Sequence, residues 1–173
     1  VIRSAEVIMF RAHRSPYDWG LQQLGVKVID VGYPNVIGPA TTEDLEAAIN
    51  ENTCAIFYAA GGPGGWLADG SLALEHTISV AIKHDIPVVV DAAAQLPPVE
   101  NLWRFTEMGS SAVIFSGGKD LRGPQASGLV VGKHEFLRYV HETGFPNYGI
   151  GRMLKVGREE IVGLTSAIEQ YVE

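Results

Sequence analysis

Short apolar runs alternate with segments of helical period along the whole chain. The first run, Glu6-Val-Ile-Met-Phe10, is apolar and partly β-branched, and it reads as a buried strand. Ser15-Pro16 supplies an N-cap followed by proline at the first helical position, which predicts a helix stopping at Gly25. Val26–Val31 is the next strand. Thr41 to Asp44 has the spacing of a capping box and starts a helix over Glu43–Ile49. Thr53–Ala60 is a third strand and runs into Gly61-Gly62-Pro63-Gly64-Gly65. The helix predicted over Ser71–His84 carries Leu74, Ile78, Ala81 and Ile82 on one stripe. Ile86–Asp91 is an unbroken apolar run closed by an acid. A short helix near Val99–Met108 leads to the strand Ala112–Phe115, then to the strand Gly128–Val131 and a helix over Lys133–Glu142. After the glycine-rich loop Gly144–Gly157, the segment Arg158–Val172 repeats Ile161, Leu164, Ile168 and Tyr171 at helical spacing.

Strands that are continuously apolar, and that alternate with helices, predict an α/β fold. The expected architecture is three-layer αβα with a mainly parallel sheet covered on both faces. No repeat, low-complexity tract or linker divides the chain, so residues 1–173 are expected to form a single domain. The opening at Val1 reads as the middle of an element, which suggests a fragment. In such sheets ligands bind beyond the carboxyl ends of the strands. The positions of interest are therefore His13 and Arg14, Gly61–Gly65, Asp91–Gln95 and Ser116–Lys119.

Charge and cysteine usage narrow the function classes. A net charge of −7 argues against a general nucleic-acid or membrane-surface role, which favours a basic surface. No apolar run approaches the roughly 20 residues of a membrane span, and no signal peptide is visible. The single cysteine, Cys54, excludes an internal disulfide or a CxxC zinc site. Within the apolar run Cys54–Ala60 it is expected to be a buried thiol, and a reducing, cytoplasmic setting fits. His134 and His141 are too far apart on one helix for an i, i+4 metal pair, so no metal site is expected.

Familiar motifs fail on inspection. A P-loop ending at Gly118-Lys119 needs glycine where Val113 stands and Ser or Thr where Asp120 stands. A dinucleotide fingerprint from Gly62 needs glycine at Leu67. Ser116 and Lys119 have the spacing of the S-x-x-K motif, but that motif opens a helix and here it ends a strand.

What remains is an acid closing one buried strand, Asp91, and a lysine just past the end of another, Lys119. If the strands are close, both side chains face one crevice. A lysine there is costly to desolvate as ammonium, which favours the neutral, nucleophilic amine. A buried aspartate in turn needs a cationic partner, and a protonated pyridine nitrogen is one. Gly117 and Gly118 leave room for a flat ring and a substrate, Ser116 can donate to a phosphate, and Ala92–Ala94 are small enough to pack on a ring. The alternative is that Asp91 caps the next turn and Lys119 is a solvated loop lysine. Residue chemistry alone leaves the two balanced.

The segment VVVDAAAQLPPVENLWRFTEMGSSAVIFSGGKDLRGPQASGLVVGK resembles the core of fold-type I pyridoxal-phosphate (PLP) enzymes. It is most similar to the group related to bacterial selenocysteine synthase (L-seryl-tRNA selenium transferase) and D-glucosaminate-6-phosphate ammonia-lyase. The D-A-A-A-Q-L-P-P and S-G-G-K-x-L-R-G-P-Q stretches are the specific part, and GIGRMLKVGREEIVGL resembles the group too. The resemblance implies the large domain of such an enzyme, without its phosphate-loop region and small C-terminal domain. It implies Lys119 as the Schiff-base lysine, Asp91 against the pyridine nitrogen and Ser116 at the phosphate. Ala93 and Gly118 would border the cofactor. Gln95 is a candidate for the ring hydroxyl, one residue later than related aminotransferases place it. The group implies a homodimer at full length.

Substrate-binding candidates are His13 and Arg14 after the first strand, Arg122 after the lysine, and Arg152 in the glycine-rich loop, since guanidinium suits carboxylate and phosphate. Each is balanced by a plain hydrogen-bonding or salt-bridge role. Trp66 and Trp103 are assigned to packing or an interface. The leading functional expectation is a PLP-dependent lyase that deprotonates Cα of an amino acid or amino-sugar acid and eliminates a β-substituent. The alternatives are a selenocysteine-synthase-like transferase, an aminotransferase, and a noncatalytic α/β fragment that does not bind PLP.

Overall fold

The computed structural model describes residues 4–33, 38–61 and 70–173. The chain divides into two compact units, Val1–Val90 and Asp91–Glu173.

In the first unit, β1 (Glu6–Phe10) is buried along its whole length. It pairs in parallel on both edges, with β2 (Lys27–Val31) and with β3 (Thr53–Ala59). The strand β4 (Val88–Asp91) follows β3, giving the order β2-β1-β3-β4. A strand paired on both edges and covered on both faces must be apolar almost throughout, which is what Val7, Ile8, Met9 and Phe10 provide. Glu6 is the exception, and its carboxylate is satisfied by Asn50 Nδ2 at 2.7 Å and Lys27 Nζ at 3.0 Å. Those hydrogen bonds, Asn50 first, hold its carboxyl below the ordinary glutamate range.

Local signals set the helix starts. Ser15 and Asp18 form a reciprocal capping box that opens a 3-10 turn, Pro16–Asp18, leading into α1 (Trp19–Gln22). Gly25, at φ 82, follows the end of α1 as expected. Thr41 and Asp44 cap α2 (Thr42–Ala48) in the same reciprocal way. In α3 (Leu74–Lys83) the buried face is Leu74, Thr77, Ile78, Val80 and Ala81. Ile82 departs from the expected stripe and is 65% exposed, because Thr77 and Val80 complete the face and turn Ile82 outward. Thr77 is tolerated there because its hydroxyl donates to the Ala73 carbonyl at 3.0 Å.

Cys54 is also corrected: it is exposed, not buried. The pairing of β1 with β3 changes register between Glu6 and Val7, opposite Thr53 and Ala55, so Cys54 is the extra residue of an irregularity. Its Sγ donates to the Glu6 carbonyl at 3.1 Å, and partial desolvation pushes the thiol pKa up.

In the second unit, Ala92 N–H donates to the Ile114 carbonyl at 2.9 Å, which places the end of β4 beside β5 (Ala112–Ser116). β5 pairs antiparallel with β6 (Gly128–Gly132). The fold is thus α/β with a mostly parallel, mixed sheet and flanking helices, β6 being the antiparallel member. The helices of this unit are α4 (Asn101–Glu107), α5 (His134–Thr143) and α6 (Arg158–Val172). Of the expected repeat in α6, Leu164 is buried, Ile168 and Tyr171 are half-buried, and Ile161 is exposed.

The burial of β1 makes a direct prediction. Ile8, fully buried, should cost about 2–5 kcal/mol when replaced by alanine, whereas Ile82→Ala should stay within about 0.5 kcal/mol. Urea unfolding of the two variants checks this, and equal losses would contradict the assignment of the core.

Candidate functional site

Asp91 is the last residue of β4 and is half-buried. Its Oδ1 accepts the Ala93 N–H at 3.0 Å, so one oxygen does brace the following turn. Among the described residues the other oxygen has no hydrogen-bond partner, and no cation pairs with the carboxylate. Behind it Ala92 is buried and Ala93 half-buried. Gln95 is buried, its N–H donates to the Ala92 carbonyl at 3.0 Å, and its carbonyl accepts from Asn101. These bonds fold the D-A-A-A-Q stretch back on itself at the strand end.

Two residues beyond Ile114, Ser116 ends β5, half-buried, its hydroxyl without a partner among the described residues. Gly117 to Leu121 then form a turn. It is closed by Arg122 N–H to the Lys119 carbonyl at 2.9 Å and Gly123 N–H to the Gly117 carbonyl at 2.8 Å. Arg122 sits at φ 58, in the left-handed region a non-glycine residue rarely adopts. Lys119 rides on this turn and is exposed. The burial expected around its amine is therefore not supplied by the described residues, because the turn carries it past the cover of the sheet. Among those residues its amine has neither an ion pair nor a hydrogen bond.

The two glycines also serve the packing of the turn itself. A Cβ on Gly117 would lie 2.1 Å from Ser127 Oγ and 2.9 Å from Leu164 Cδ1. A Cβ on Gly118 would lie 2.7 Å from Gln125 Cα. In the direction of their Cβ positions the space is filled by the chain's own loop and by α6. Gln125 Nε2 also donates to the Gly118 carbonyl at 2.8 Å. Sequence reasoning missed this packing, as well as the bond from Tyr171 Oη to Asp120 Oδ2 at 2.6 Å. Nothing in local spacing links residues 51 apart in the chain.

The weaker candidates are mostly engaged elsewhere. His13 is buried in the first unit with Phe10 and Tyr58 edge-on, at ring-centroid distances of 5.3 Å and 4.6 Å. Its Nδ1 accepts the Ala59 N–H at 3.3 Å, and Nε2 has no partner among the described residues. Burial lowers its pKa to about 4, so it is neutral at physiological pH. Arg14 pairs with Asp18 and, at 2.6 Å, with Asp30. Arg152 donates to the Pro146 carbonyl and lies over the rings of Phe145 and Tyr148, 5.2 Å and 4.4 Å from their centroids. Arg122 is exposed, as are His134, His141 and Trp103. Gly61 is exposed; Gly62–Gly65 and Trp66 lie outside the described residues. A cleft of about 350 Å³ lined by Arg11, Asp30, Tyr33 and Asp44 contains none of the candidates.

The chain as a whole is similar to known proteins. No family model matches it. It is 32% identical over 170 residues to D-glucosaminate-6-phosphate ammonia lyase of Salmonella typhimurium, covering 96% of this chain and 42% of that protein. A solved structure of D-glucosaminate-6-phosphate ammonia-lyase matches with a TM-score of 0.81 and 31% identity, over 98% of this chain and 43% of the other. The similarity to these two proteins extends over nearly the whole of this chain. The chain is also similar to 5'-C-glycyluridine monooxygenase-decarboxylase of a Streptomyces species, 26% identical over 96% of this chain and 40% of that protein. L-seryl-tRNA(Sec) selenium transferase of Mannheimia succiniciproducens is 24% identical over 88% of this chain and 33% of its own length. The chain thus spans well under half the length of the relatives it matches.

Two outcomes follow from this geometry. Gly117→Ala should destabilise the protein by about 1–3 kcal/mol, since Ser127 and Leu164 leave its Cβ no room; an unchanged unfolding midpoint would contradict that contact. Burial holds the His13 pKa at about 4 in the folded chain, against 6.5 for a free imidazole. Its contribution is therefore fully present above the unfolded value and is lost as pH falls from 6.5 toward 4, by on the order of 3 kcal/mol. Unfolding measured from pH 7 to 4 should fall more steeply for wild type than for His13→Phe; parallel curves would contradict the burial.

Proposed function

We propose that this chain is the cofactor-holding part of a PLP-dependent lyase acting on an amino acid or amino-sugar acid. The observation that carries the reading is the set at the ends of β4 and β5. Asp91 and Ser116 stand at the carboxyl ends of the neighbouring strands β4 and β5, with Lys119 on the turn just past β5, each with a side-chain polar atom lacking a partner among the described residues. A carboxylate, a hydroxyl and an amine are the donor set that a pyridinium nitrogen, a phosphate and an aldehyde need, so the residues fit the cofactor.

In this reading the Asp91 carboxylate accepts from the pyridine nitrogen, held in place by the Ala93 N–H on its other oxygen. Ser116 donates its hydroxyl to the phosphate. The Lys119 amine would hold the cofactor through its aldehyde and, when free, would be the base that takes the proton from the substrate's Cα. When bound, the cofactor supplies the electron sink for the charge left at Cα. Ala93 packs against the ring, with Gln95 and Gly118 bordering the site, and the exposed guanidinium of Arg122 is the candidate for an anionic substrate group. Arg14 and Arg152, already paired, are not assigned to substrate.

At full length the protein is taken to be a cytoplasmic homodimer. No helix among the described residues is long and apolar enough to cross a membrane. The likeness to a selenium transferase favours a second reading, transfer on an aminoacyl-tRNA, but the net charge of −7 gives no support for a tRNA-binding face.

The test uses the full-length protein with PLP. Wild type should show a visible absorbance band that borohydride removes, and Lys119→Ala should lack it. Absence of a band in wild type would end the PLP reading and return Asp91 and Lys119 to structural roles.

A further inference from the structure

Asp120 follows Lys119 directly, on the same turn. Its carboxylate is the acidic group nearest to the Lys119 amine along the chain. An ion pair between them would favour the ammonium form, which can neither add to a carbonyl nor take a proton from carbon. Yet among the described residues Lys119 has no ion pair. The Asp120 carboxylate is turned to Tyr171, whose hydroxyl donates to Oδ2 at 2.6 Å from the last turn of α6.

The helix bearing Tyr171 is itself fixed against the turn. Leu164, its one buried residue, lies where a Cβ of Gly117 or Gly123 would reach, at 2.9 and 3.2 Å. Pro124 Cγ stands 2.8 Å from the Cβ position of Gly163. Tyr171 thus reaches Asp120 from a surface already pressed onto the residues flanking Lys119. Burial, with Asp120 adding to it, raises the Tyr171 pKa to about 12, so the phenol stays a donor through any working pH. The other charges that bear on the phenol are Arg122, from the same turn, and Glu100.

We propose that Tyr171 is a positioning residue that keeps the Asp120 carboxylate off the Lys119 amine, leaving that amine free to react. The proposal rests on the reading of Lys119 as the cofactor lysine. In the Tyr171→Phe protein the carboxylate is released and settles on the adjacent amine. Tyr171→Phe with Asp120→Asn removes the carboxylate's charge as well and restores the free amine.

The test is competitive acylation of the full-length, cofactor-free protein with acetic anhydride at fixed pH. Mass spectrometry reads Lys119 against Lys133 and Lys155 as internal references. Tyr171→Phe should lower the relative reactivity of Lys119 by roughly two- to fivefold, the scale of one exposed ion pair, and the double variant should return it to the wild-type value. Loss of packing alone would not be rescued by Asp120→Asn. Unchanged Lys119 reactivity in Tyr171→Phe, as when the freed carboxylate takes Arg122 instead, would overturn the proposal; so would a loss that the double variant does not repair. The labelling needs no cofactor, so its failure is distinct from a missing visible band, which would remove the assignment of Lys119 itself.

Discussion

One backbone hydrogen bond, Ala92 N–H to the Ile114 carbonyl at 2.9 Å, governs everything the site can do. It sets the residue after Asp91 beside the strand that leads, two residues later, to Ser116 and then to Lys119. Without it the acid and the lysine are 28 positions apart with no reason to meet. With it they share the end of a sheet, where carboxyl ends of strands present side chains to a ligand. The apolar runs of β4 and β5 serve that bond, since Val90, Val113 and Phe115 are almost fully buried and hold the two strands in the core.

The turn after β5 is built by close packing. Gly117 and Gly118 let Ser127, Leu164 and Gln125 come closer than a Cβ would allow. The same approach fixes the direction in which the turn leaves the sheet, and so exposes Lys119. An exposed amine carries no desolvation cost in this state, and its freedom to react then depends on which charges stand next to it. On the proposed reading of Lys119, the pairing of Asp120 with Tyr171 is one such determinant.

Periodicity and capping chemistry made the fold legible in advance. Strand β1 could be read because Val7 to Phe10 form an unbroken apolar run, and α2 because Thr41 and Asp44 cap it with their own side chains. Asp91 and Lys119 were legible as endings of apolar runs. Ile82 and Cys54 were misread because exposure depends on how a helix is rotated and on a register irregularity between β1 and β3, neither of which is written in local pattern. Arg14 and Arg152 looked available for substrate, yet Asp18 and Asp30 hold one, and Phe145, Tyr148 and Pro146 hold the other. The links between Leu164 and Gly117, and between Tyr171 and Asp120, join distant segments and appear only when the chain is folded.

The central claim is that the turn after β5 carries the lysine that holds the cofactor. It is tested most directly by reducing the PLP-loaded full-length protein with borohydride, digesting it, and locating the pyridoxyl mass on a peptide. The account predicts one stoichiometric adduct, on Lys119. An adduct on Lys133 or Lys155, or none on the peptide containing Lys119, would contradict it.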